Sequence, residues 1–261
     1  MFPKSIYTNQ PTNNLGRISV LILLSFLLIP IKISKSLAES ENADINTTVL
    51  FQPPPEESQP EETEGAASRQ NRVCSQDIIA QQQKRSRLNL TAIVPHGNYG
   101  LTVVERPTFW VYIPQTSAQQ IILTLKEKDS SPHWQQSIPL TTKAGIMGIK
   151  LSDNAPSLEI GKEYQWAVIL VCGNKPHPND PVVTAKIKRI DESQIRNGDS
   201  QTNSTIGLEQ AATYAKQGIW YDTLDILVAE KSSLNNWNNI WVNYLQSGGL
   251  NEFVNESIIG K

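Results

Sequence analysis

Between residues 88 and 190 the chain is written as short apolar runs separated by Gly, Pro and Asn, and that punctuation restricts it to strands. Two runs define the pattern. Glu105-Arg106-Pro107-Thr108-Phe109-Trp110-Val111-Tyr112-Ile113-Pro114 is bounded by prolines and dense in the β-branched and aromatic side chains that fit a pleated, half-buried surface. The run 162–172 alternates instead, placing Tyr164, Trp166, Val168, Leu170 and Cys172 on one face by the two-residue period of a strand. That face is expected to be core, with Cys172 pointing inward. Candidate strands are 88–94, 108–113, 120–126, 133–138, 146–151, 163–172 and 182–190, with turn signals such as Pro95-His96-Gly97-Asn98 and Asn154-Ala155-Pro156 between them. About seven short strands at this spacing predict an antiparallel, immunoglobulin-like β-sandwich over 71–193.

After a polar break at 197–204 the period becomes helical. Leu208, Ala211, Ala212 and Ala215 fall on one face, Gly218 ends that helix, and Tyr221, Leu224, Ile226, Leu227 and Val228 supply the next. A third helix over 238–247 carries Trp241, Tyr244 and Leu245 and stops at Gly248-Gly249. The spacing Tyr214, Gly218, Trp220, Leu227 resembles one tetratricopeptide repeat. A lone repeat has no stacked neighbour to bury its faces, so a C-terminal helical hairpin over 205–256, packed on or following the sandwich, is expected. The class is therefore α+β.

The N-terminus carries an address rather than a fold. Lys4 and Arg17 precede an apolar run from Ile18 to Ile29, and Ser36-Leu37-Ala38 places small residues at a cleavage site, so 1–38 is expected to be a signal peptide. An uncleaved anchor is the alternative, but a span needs about 20 apolar residues, and this run reaches that only through Pro30 and Lys32. Removing its four basic residues leaves 19 Lys and Arg against 25 Asp and Glu. That acidic balance argues against nucleic acid, whose phosphates need cations. Export brings oxidation, so the only two cysteines, Cys74 and Cys172, are expected to pair, with two buried free thiols as the alternative. Residues 39–70 begin with eight acidic groups and no Lys or Arg up to Ala67, include Pro53-Pro54-Pro55, and are expected to form a disordered acidic linker.

The order of these pieces resembles the cyanobacterial domain-of-unknown-function 928 family from about Cys74 to Val254. The resemblance rests on Glu105 to Pro114, on Tyr164-Gln165-Trp166 leading to Cys172, on Ile187-Lys188-Arg189, and on Tyr214-Ala215-Lys216-Gln217-Gly218-Ile219-Trp220-Tyr221-Asp222. It implies exported proteins with a signal peptide, and it carries over no activity or ligand.

Chemistry is sparse. The three histidines, His96, His133 and His177, lie in expected turns or strand edges with no second ligand at a metal-typical spacing. Neither a phosphate loop nor a Gly-x-Ser-x-Gly or His-Glu-x-x-His motif occurs, and no catalytic residue, cofactor or metal is implied. Arg106, held extended by Pro107 beside Trp110 and Tyr112, is the candidate binding patch, a cation with aromatics suited to sugars or carboxylates. A structural salt bridge fixing that corner is the plainer alternative. Trp220-Tyr221-Asp222 is either an exposed hot spot or, more simply, core. Lys84, Arg85 and Arg87 read as a solvated basic face, and Asn46, Asn89, Asn203 and Asn255 sit in glycosylation-type sequons. The expectation is a periplasmic or extracellular, non-catalytic binding or assembly module whose partner is an envelope protein or glycan. The alternative is an envelope enzyme acting on glycans through two of Glu105, Glu163 and Asp222.

Overall fold

The computed structural model describes residues 48–54, 73–77, 88–128, 134–140, 143–195 and 206–260. The expected signal peptide over 1–38, residues 39–47 and 55–70 of the expected acidic linker, the basic cluster Lys84, Arg85 and Arg87, His133, Asn46 and Asn203 lie outside the described residues.

Among the described residues nine strands form two sheets. The first, in the order β1 (Thr91–Ala92), β3 (Thr108–Ile113), β6 (Gly145–Lys150), β9 (Ile258–Gly260), has four strands. The second has five: β2 (Tyr99–Thr102), β8 (Val182–Arg189), β7 (Glu163–Val171), β4 (Gln120–Glu127), β5 (Trp134–Pro139). Three helices follow, α1 (Ile206–Lys216), α2 (Trp220–Ala229) and α3 (Trp237–Ser247). The protein is thus mixed α+β, with a sandwich-like pair of sheets and helices at the C-terminal side.

Strand β7 does what its period requires. Tyr164, Trp166, Val168 and Leu170 are buried, and Phe109 of the other sheet meets Trp166 with ring centroids 5.1 Å apart. Strand β3 departs from alternation, since all six of its residues are buried. Its inner face, Phe109, Val111 and Ile113, joins the core between the sheets, while Thr108 and Trp110 on the opposite face bond Asp225 of α2. A strand covered on both sides needs no polar partner set, which is why its sequence is a continuous apolar run.

The structure differs from the sequence reading in four places. The first strand is only Thr91–Ala92, although Leu90, Ile93 and Val94 beside it are buried. Strands β2 and β9 were not expected, and both pair in parallel, with β8 and β6 respectively. They have four and three residues, too few to show a period, and β2 contains Gly100, where a Cβ would come within 2.9 Å of Trp220 and 3.0 Å of Tyr221. The missing side chain lets α2 lie directly on the strand. Cys172 follows the end of β7 and is half-buried rather than inward. Finally, residues 48–54, inside the expected disordered linker, carry the buried side chains Val49 and Phe51. Composition pointed to disorder there, but two apolar side chains in register with a helical groove outweigh it.

Cys74 and Cys172 form a disulfide with a sequence separation of 98. The short turn after Cys74 is fixed further by Asp77, which accepts from Thr116 Oγ1 at 2.7 Å and from the Ser117 amide at 3.0 Å. Gln76 Nε2 also donates to the Cys172 carbonyl at 2.6 Å. The loop so closed is worth about 4 to 5 kcal/mol on a chain-entropy account.

Two measurements check this architecture. Peptide mapping without reductant should recover Cys74 and Cys172 in one linked peptide, and recovery of both thiols free would contradict the pairing. In denaturant melts Trp166→Ala should cost about 3 to 5 kcal/mol, because its ring is fully buried, whereas the outward-facing Thr184→Ala should stay within about 1 kcal/mol. Equal losses would mean that the core face is misassigned.

Candidate functional site

The residues singled out around Arg106 do not make an open surface. Arg106 Nη1 donates to the carbonyls of Ser152 and Ala155 at 3.1 and 2.6 Å, and Nη2 to Ser157 Oγ at 3.3 Å. Arg189 does the same from β8, donating from Nε to the Val103 carbonyl at 3.1 Å and from Nη1 to the Leu158 carbonyl at 2.7 Å. Two guanidinium groups therefore pin the loop before β7. Trp110 is fully buried, its Nε1 donating to Asp225 Oδ1 at 3.2 Å, and Tyr112 packs on Phe253 with ring centroids 5.3 Å apart. The candidate patch Arg106, Trp110 and Tyr112 is a structural corner beside a covered strand face, because α2 and the segment Asn251–Phe253 lie over it.

The carboxylates named for acid-base chemistry occupy separate settings. Glu105 is more than half exposed and 4.0 Å from Arg106 Nε. Glu163, at the start of β7, is 3.9 Å from both Lys128 and Lys186. Asp222 is 6% exposed in the first turn of α2, with Oδ2 accepting from the Val103 amide at 3.4 Å and Oδ1 without a hydrogen-bond partner among the described residues. Burial raises its pKa to about 6, and Asp225 pushes the same way, against hydrogen bonds from Thr102 and Val103. Its neighbours are core: Trp220 Nε1 donates to the Ile93 carbonyl at 2.9 Å. The Tyr221 hydroxyl accepts from Trp166 Nε1 at 2.7 Å and donates to the Lys186 carbonyl at 3.2 Å.

A different place is open. A pocket of about 370 Å³ lies between the N-terminal half of α3 and the segment leading into β9. Its floor is Trp237 and Trp241, one helical turn apart and stacked with centroids 5.2 Å apart at 17°. The Trp237 indole N–H is used, donating to the Leu227 carbonyl at 2.5 Å, so the ring is held in place and contributes only its apolar surface. Lys231 Nζ stands 5.4 Å from the Trp237 ring, a cation over an aromatic face. The rim is polar, with Asn238 on the helix and Asn255, Glu256 and Ser257 on the opposite wall. Trp237 and Trp241 are themselves buried, 7% and 2% exposed, so what the pocket offers a hydroxyl-rich ligand is its polar rim of amide, carboxylate and hydroxyl groups above them. Sequence reasoning noted Trp241 alone. The available signal was the i, i+4 pair Trp237 and Trp241, but the opposite wall comes from 254–258, which no helical period connects to it.

Among the described residues no cluster of His, Cys, Asp and Glu could hold a metal ion, and no helix is long and apolar enough to cross a membrane.

The family model described as Domain of Unknown Function (DUF928) matches residues 64–258. No curated protein and no solved structure matches the chain.

Asp222 gives a pH test. Its folded pKa lies above the unfolded value of 3.8, so the folded state holds the proton more tightly and stability is lost as pH rises from about 4 through about 6. The loss is on the order of 2 to 3 kcal/mol. Asp222→Asn should flatten this part of the profile and exceed wild type in stability at pH 7. Urea midpoints of both proteins across that window decide it, and parallel profiles would contradict the buried-acid assignment.

Proposed function

This chain belongs to the DUF928 family, and from that premise we propose that it is a non-catalytic binding module of the cell envelope whose ligand seat is the Trp237 and Trp241 pocket. The signal-type residues 1–38 and the Cys74 to Cys172 disulfide support export to the periplasm or beyond, where an oxidising medium preserves such a bond. The observation that carries the reading is the pocket itself: Asn238, Asn255, Glu256 and Ser257 set around a cavity of about 370 Å³ whose base, the buried pair Trp237 and Trp241, is fixed by the bond to Leu227 and by stacking. Its chemistry suits a sugar unit of an envelope glycan, with hydroxyls toward the amides, the Ser257 hydroxyl and the carboxylate.

The connectivity supports an immunoglobulin-like reading of the sheets. Taking β1, β3 and β6 as strands A, B and E, and β4, β5, β7 and β8 as C, C′, F and G, gives the sheet neighbours of that fold. Strand β9 then stands in the D place, in parallel rather than antiparallel pairing. Tyr164, near the start of the F-like strand, accepts from the Glu159 amide at 3.0 Å, which matches the tyrosine corner of such domains.

The enzymatic alternative rests on Asp222, whose raised pKa is what a general acid requires. Against it stands burial, since a residue 6% exposed between helix and sheet is closed to a polymer.

Tryptophan fluorescence titrated with soluble wall-glycan fragments should give saturable binding to wild type. Asn238→Ala and Glu256→Gln should each weaken it about tenfold, the loss of one or two hydrogen bonds. Reducing-end release measured in the same samples should stay at the blank level. Release by wild type that Asp222→Asn abolishes with its fold intact would favour the enzyme instead.

A further inference from the structure

Residues 48–54 run extended across the C-terminal ends of α1 and α3. Val49, Phe51 and Pro54 are buried while Leu50 between them is 43% exposed, the two-residue alternation of an extended segment on a surface. The Phe51 ring meets Trp220 edge-on, centroids 5.0 Å apart at 89°. Pro54 lies on Gly218, whose φ of +76° ends α1 and where a Cβ would come within 2.7 Å of the proline ring. Two main-chain bonds fix the register. The Gln52 amide donates to the Ala215 carbonyl at 2.9 Å, sharing that helix-end acceptor with the Gly218 amide at 3.3 Å. The Phe51 amide donates to Ser247 Oγ at 2.8 Å, and that hydroxyl donates onward to the Tyr244 carbonyl at 2.7 Å.

Main-chain bonds combined with seats for spaced side chains are the means by which proteins read extended peptides. The groove and its occupant also have different standing in the chain. Ala215, Gly218, Trp220 and Ser247 lie within the family match at 64–258, whereas 48–54 lies upstream of it. The seat lies inside the matched region and the segment filling it lies outside.

We propose that this groove is a recognition site for extended peptides spaced aliphatic-x-aromatic-x-x-proline, and that 48–54 is its resident ligand, held in cis until a partner's segment of the same spacing displaces it. The groove is at the Ser247 end of α3 and the pocket at its Trp237 end, about 15 Å apart along the helix. Failure of either site leaves the other's ligand unaffected.

The test uses a fluorescein-labelled peptide of sequence 48–54, followed by anisotropy against the full chain. Phe51→Ala should bind it at least about tenfold more tightly than wild type, because a tethered competitor at about millimolar effective concentration has been weakened. A peptide with Ala in place of its Phe should not bind. Should Phe51→Ala fail to fold, the same peptide is added to an otherwise wild-type chain carrying a protease site within 55–72. After cleavage the labelled peptide should replace the native segment on gel filtration. Equal binding by wild type and Phe51→Ala, or a cleaved segment retained against excess peptide, would overturn the proposal. So would dimers formed by segment exchange while the peptide stays unbound, since the occupant would then be a second copy of the chain.

Discussion

The adjacent rings of Trp220 and Tyr221 hold the sheets, the helices and the N-terminal segment in one core. Trp220 stacks on Tyr244 of α3 with centroids 4.6 Å apart, takes Phe51 on its edge, and donates its N–H to the Ile93 carbonyl. Tyr221 turns the other way, lying 6.0 Å from Phe109 and bonding both Trp166 and the Lys186 carbonyl. Large aromatics remove much apolar surface from water and still offer one polar atom each. Here every polar atom of the pair is answered, so the burial carries no desolvation penalty. One hydrophobic cluster consequently runs from the strands through α2 into α3.

That arrangement decides which polar groups remain available for chemistry. Asp225 is spent holding Thr108 and Trp110, and Arg106 and Arg189 are spent on loop carbonyls. Asp222 lies against β2 in the same interface, where loss of solvent is the main cause of its raised pKa. Arg106, Arg189, Asp222 and Asp225 are joints of the fold. The pocket lies apart from these joints, between Lys231, the N-terminal half of α3 and the segment entering β9.

The two proposed sites share α3 and differ in what shapes them. The pocket is formed by side chains of three stretches, Lys231, the start of α3 and the segment 254–258 that leads into β9. The peptide groove is formed largely by backbone at helix ends, with Gly218 giving room and Ala215 giving an acceptor. A groove of that kind reads spacing rather than charge, in keeping with the apolar segment that fills it.

What the sequence by itself determined is whatever a short window of chain can express. The two-residue period of Tyr164 to Leu170 placed β7 and its core face, the helical spacing around Leu208 and Ala215 placed α1, Gly218 placed its end, and a chain with two cysteines in all left one possible intrachain pairing. Tertiary structure decided the rest. Whether Trp110 and Tyr112 face solvent depends on α2 and on Phe253, which lie more than a hundred residues away. Whether 48–54 is tether or ligand depends on a groove made by three helices. Strands β2 and β9 exist only because parallel partners stabilise segments too short to hold a strand alone. Periodicity reports which face of an element is apolar, but the occupant of the opposite face is a non-local fact, set when distant parts of the chain meet.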